Sequence, residues 1–72
     1  MLRQLLEQLY IHNPTINAQP QWCDECVFVY DQWGYFQIFF SYGLWNIREK
    51  DWIRTERFKS IAQVVEFVSR SN

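Results

Sequence analysis

Glycine and proline are scarce in this chain of 72 residues, two of each. The glycines are isolated, which excludes a glycine-rich phosphate loop, and no low-complexity or proline-rich spacer is present. Histidine occurs once, as His12, and cysteine twice, as Cys23 and Cys26. Ser41, Ser60, Ser69 and Ser71 are scattered and assemble no triad with that histidine. No apolar run approaches the roughly eighteen residues of a membrane span. Leu2, Leu5 and Leu6 alternate with Arg3, Gln4 and Glu7, so the start has no secretory apolar segment. Charge of one sign is also missing, because the net charge is −1. A strongly basic nucleic-acid footprint is thereby excluded.

Aromatic side chains are abundant instead, at 19% of the chain with four tryptophans. A domain this small buries only roughly 60% of the surface its unfolded chain exposes. So many large apolar groups cannot all be enclosed, and a contiguous exposed aromatic patch marks a partner surface. We expect one self-contained domain over residues 1–72, opening at Met1, in a reducing, cytoplasmic location.

Leu2, Leu5, Leu6 and Leu9 fall at the i, i+3, i+4, i+7 spacing of one helical face. That helix should stop near His12 and Asn13, ahead of Pro14. Residues 13–21 carry both prolines and read as an irregular linker. From Cys26 the period becomes two. "CVFVYD" is a strand, "DQWG" a hairpin connection, and "YFQIFFSY" a second strand, which resumes through "LWNIR" after a bulge or bend at Gly43. A turn at 49–51 leads to a third strand from Trp52 to Lys59. Ser60 and Gln63 form a capping box ahead of a last helix with Ile61, Val64, Val65 and Val68 on its apolar stripe. The expected fold is α+β, a two-layer sandwich ordered helix, three-stranded antiparallel meander, helix.

Cys23 and Cys26 have the spacing of a metal-binding or redox pair. Trp22 before them completes the spelling of a thioredoxin-like motif. That motif should follow a strand and open a helix, whereas here it follows a linker and opens a strand, and Asp24 and Glu25 carry the wrong sign of charge to favour a thiolate. As zinc ligands the pair lacks two partners, unless His12, a carboxylate or a second subunit supplies them. The simplest reading makes both cysteines reduced structural residues, meeting only if Asp24 and Glu25 form a turn. No cofactor is implied.

Basic residues Arg48, Lys50, Arg54, Arg57 and Lys59 cluster at the last hairpin, with Trp45 and Trp52 nearby. This could make a nucleic-acid stacking platform, but Glu49, Asp51 and Glu56 are interleaved and cancel much of its field. Tyr35 and Phe39 lie on the strand face opposite Phe36, Ile38 and Phe40, and Trp33 sits at a hairpin tip. A helix-covered sheet leaves that second face either under the 13–21 linker, as a small core with Ile16 and Trp22, or open to a partner. The expected function is therefore non-enzymatic protein binding, as an adaptor, subunit or inhibitor. Its site comprises Trp33, Tyr35 and Phe39 with Arg54 and Arg57 as a charged rim, and its partner is another protein or a second copy. No membrane or small-molecule substrate is implied. The alternatives are nucleic-acid binding by the 48–59 hairpin and a dimer bridged by zinc at Cys23 and Cys26.

Overall fold

The computed structural model of the chain describes residues 1–32, 34–49 and 54–71, at residue 71 the backbone alone. Two helices flank five strands: α1 (Leu2–His12), β1 (Asn17–Gln21), β2 (Cys26–Asp31), β3 (Gly34–Ser41), β4 (Leu44–Arg48), β5 (Thr55–Phe58) and α2 (Ile61–Ser71). The strands form one antiparallel sheet in chain order, β1-β2-β3-β4-β5. The expected three-stranded meander is thus corrected to five strands within the same α+β class.

Two departures account for the difference. Residues 17–21 are not a linker but an edge strand paired with β2 from Asn17↔Tyr30 to Gln21↔Cys26. "NAQPQ" has no β-branched or aromatic residue to announce a strand, and its proline is tolerated because an edge strand need not donate on both sides. The run from Tyr35 to Arg48 is likewise not one interrupted strand. It folds back at Tyr42 and Gly43, which have φ of 53° and 75°, so that Ser41 pairs with Leu44. Two consecutive positive φ values belong to the tight type I′ hairpin turn, whose twist matches that of the strands. Gly43 is thus a turn residue, not a bulge.

The β2–β3 hairpin lies where the sequence puts it, with Asp31 paired to Gly34, which has a φ of 140°. Of the expected third strand, Thr55–Phe58 is observed and Trp52 and Ile53 lie outside the described residues. The connection before it is closed by the Glu49 amide donating to the Arg54 carbonyl at 3.1 Å.

Both helices cover one face of the sheet, α1 over β1 and β2 and α2 over β4 and β5, and they pack on each other. Leu5 and Leu9 of α1 and Val64, Val65 and Val68 of α2 meet Val27, Val29, Phe36, Ile38, Trp45 and Ile47 in one core. Burying each such side chain contributes roughly 1.5–3 kcal/mol before ordering costs. Phe67 joins α2 to the sheet through ring contacts with Phe36 and Phe58, at centroid distances of 5.9 and 5.4 Å. The start of α2 is capped by the expected pair with one bond displaced: the Gln63 amide donates to Ser60 Oγ at 3.3 Å, while Gln63 Oε1 accepts at 2.8 Å from the amide of Lys59, one residue before the N-cap. At the end of α1, the Asn13 amide donates to the Leu9 carbonyl. No helix among the described residues is long and apolar enough to cross a membrane.

Candidate functional site on the outer face of the sheet

Because side chains alternate along a strand, the residues between the core positions point away from the helices. On β2 these are Cys26, Phe28 and Tyr30; on β3, Tyr35, Gln37 and Phe39; on β4, Asn46 and Arg48; on β5, Thr55 and Arg57. Strand pairing aligns them in rows. Tyr30 stands beside Tyr35, Phe28 beside Gln37 and Arg48, and Cys26 beside Phe39, Asn46 and Arg57.

Three rings of this face touch one another. Phe28 meets Tyr35 edge-on at 5.5 Å, Tyr30 meets Tyr35 at 5.5 Å, and Phe28 and Tyr30 are 6.4 Å apart. Such pairs contribute about 0.5–1.5 kcal/mol each beyond area burial. Next to them the Arg48 guanidinium lies over the Phe39 ring, 5.6 Å from its centroid. Asn46 is buried and donates from Nδ2 to the Leu44 carbonyl at 3.0 Å. Arg48 and Arg57 are the charged residues at the outward strand positions; Asp31 and Glu56, the acids within the strands, have the opposite parity.

Of the residues expected to form the site, Tyr35, Phe39 and Arg57 share this face. Arg54 precedes β5 and its Nε is 3.5 Å from Glu49 Oε2, so its charge is balanced locally. Trp33 lies outside the described residues, as do Lys50, Asp51 and Trp52. Arg48 was expected only within the basic 48–59 hairpin of the nucleic-acid alternative, and Phe28 and Tyr30 not at all, although they alternate visibly with Val27 and Val29 in "VFVY". The idea that the 13–21 segment covers this face is overturned. It extends the sheet as β1, Ile16 packs on the main core, and Trp22 is 55% exposed with Arg3 over its ring at 5.9 Å.

The edge formed by β1 is blunted. Pro20 has no amide to offer, and the Ala18 carbonyl accepts from Tyr10 Oη at 3.2 Å. Both features oppose the addition of a foreign strand there. The sheet therefore presents its face more readily than this edge.

Cys23 and Cys26 part company. The Trp22–Glu25 turn does form, with the Glu25 amide donating to the Trp22 carbonyl at 3.3 Å and Glu25 at a φ of 52°. It leaves Cys23 exposed and Cys26 buried, both as free thiols. Among the described residues no three of His, Cys, Asp and Glu gather as metal ligands. Trp45, considered above for a nucleic-acid platform, is only 4% exposed and lies on the sheet face opposite Arg48 and Arg57. A concavity of about 450 Å³ lies at the start of α1, lined by Met1, Leu2, Arg3, Trp22, Phe40 and Trp45 among others. Phe40 has core parity, yet it is 39% exposed. Comparison with known proteins assigns no relative, since no family model, no curated protein and no solved structure matches the chain.

Proposed function

We propose that this chain is a non-enzymatic protein-binding module that works through the outer face of its sheet. The observation that carries the proposal is the ring cluster of Phe28, Tyr30 and Tyr35, on the side away from both helices and flanked by Arg48 over Phe39. Tyrosine, phenylalanine and arginine are enriched at the centres of protein interfaces: the rings offer large contact area with little conformational entropy to lose, and the planar guanidinium stacks and donates several hydrogen bonds. The blunted β1 edge disfavours strand addition on that side of the sheet. Gln37 and Thr55, at half-buried outward positions, can supply the directional polar contacts that such a centre needs.

Nucleic acid fits less well. Arg48 and Arg57 are too few to track a phosphate backbone, and the carboxylates of Asp24 and Glu25 line the same cleft as Arg48 and Phe39.

The test is affinity capture with three immobilised forms: the wild-type chain, Tyr35→Ala with Phe39→Ala, and Glu7→Lys on the helical side. The proposal expects proteins retained by the first and third and lost with the second, while circular dichroism shows all three folded. Retention unchanged by the double substitution would contradict it. Retained single-stranded nucleic acid, eluting steeply with salt, would favour the other reading.

A further inference from the structure

We propose that the outer face is occupied by a second copy of this chain, stacked face to face about a two-fold axis running along β3. This rests on the reading of that face as a protein interface and names its occupant. A two-fold interface must be self-complementary, each patch meeting its counterpart on the other copy. The outer face is divided to suit this. Its ring cluster belongs to β2 and β3, its arginines to β4 and β5, and β3 is the middle strand of five.

Rotation about β3 preserves position along the strands and exchanges the two halves. It lays β4 over β2 of the second copy and β5 over β1. Arg48 and Phe28 occupy the same row, so Arg48 of each copy comes over Phe28 of the other. This repeats between copies the cation–π contact that Arg48 already makes with Phe39 at 5.6 Å. An axis running across the strands through the middle of the face would instead set Arg48 against Arg48, and like charges directly opposed are destabilising. The charge pattern therefore selects the first arrangement.

Gln37 lies on the same axis. It faces outward from the middle of β3, its Nε2 donates to Cys26 Sγ at 3.6 Å, and its Oε1 is buried without a partner among the described residues. On the axis each Gln37 meets its own copy, and a hydrogen bond between the two carboxamides forms only if Oε1 turns out of its buried position, giving up the contact of Nε2 with Cys26 Sγ. Strand spacing and rise make the face roughly 24 by 20 Å. Two such faces bury on the order of 1,000 Å², the lower bound for a specific pair. The dimer should accordingly dissociate on dilution.

Sedimentation equilibrium of the reduced full chain over a wide concentration range, with and without chelator, tests this. The wild type should be a concentration-dependent dimer unaffected by chelator. Arg48→Gln should weaken dimerisation by roughly tenfold, since two cation–π contacts are lost. Tyr30→Ala, at a half-exposed position whose loss spares the core, should weaken it too. A wild type that stays monomeric overturns the second copy as occupant, while the capture experiment above reports separately on a foreign partner. A dimer tightened or unchanged by Arg48→Gln overturns the arrangement. Should Arg48→Gln not fold, a dimer indifferent to Tyr30→Ala overturns it equally. Loss of the dimer on chelation would transfer the interface to Cys23 and Cys26.

Discussion

The two faces of the sheet are built from the same strands and the same alternation, yet they are finished differently. The inner face is aliphatic at its centre, with Val27, Val29, Ile38 and Ile47 all but fully buried beneath the two helices. The outer face carries rings, amides and arginine at the intervening positions, and its rings pack laterally on one another. Branched aliphatic side chains fill a fixed volume between layers. Tyrosine rings with polar tips, and phenylalanine rings packed on them or under a guanidinium, are compatible with contact with water. The contrast teaches that one face holds the fold together, while the other, on the function proposed above, serves recognition.

Substitutions can break that contrast or sharpen it. Leu9→Ala removes a fully buried side chain from the helix layer and should cost about 2–5 kcal/mol in chemical denaturation. Tyr30→Ala on the outer face removes two ring contacts, with Phe28 and Tyr35, and should cost about 1–3 kcal/mol, less than Leu9→Ala, while weakening partner binding. Equal losses from the two experiments would erase the distinction between the faces. Tyr42→Asn tests the turn that keeps the β3–β4 register, and with it the sorting of residues between faces. Tyr42 is fully exposed at a φ of 53°, so asparagine, better suited to that conformation, should raise stability by roughly 0.5–1 kcal/mol. Smallest of all is Arg54→Ala. Its ion pair with Glu49 is largely solvated on the arginine side, and a change below about 0.5 kcal/mol, fading with salt, is expected.

Much of this architecture could be read from particular residues. The leucine spacing of α1, the Ser60–Gln63 cap of α2 and the alternation in "YFQIFFS" each reflect local physics that the tertiary structure leaves unaltered. β1 escaped because Asn17–Gln21 becomes a strand only through pairing with β2, and edge pairing leaves little trace in side-chain type. The β3–β4 turn escaped because Tyr42 stands where asparagine or aspartate would normally announce it. For the site, parity alone placed Tyr35 and Phe39 correctly on the outward face. The same rule applied to β2 would have added Phe28 and Tyr30. The contact of Arg48 with Phe39 needed the β3–β4 register, which a missed turn concealed.

The most direct measurement is site-specific photocrosslinking, with benzoylphenylalanine placed singly at Tyr30 or at Tyr42 in the cells that make the protein. Tyr42 is 101% exposed and Tyr30 only 41%, so exposure alone favours Tyr42. The account predicts discrete protein adducts, a second copy included, from Tyr30 and none from Tyr42. Adducts from Tyr42 with none from Tyr30 would contradict it and move recognition away from the outer face of the sheet.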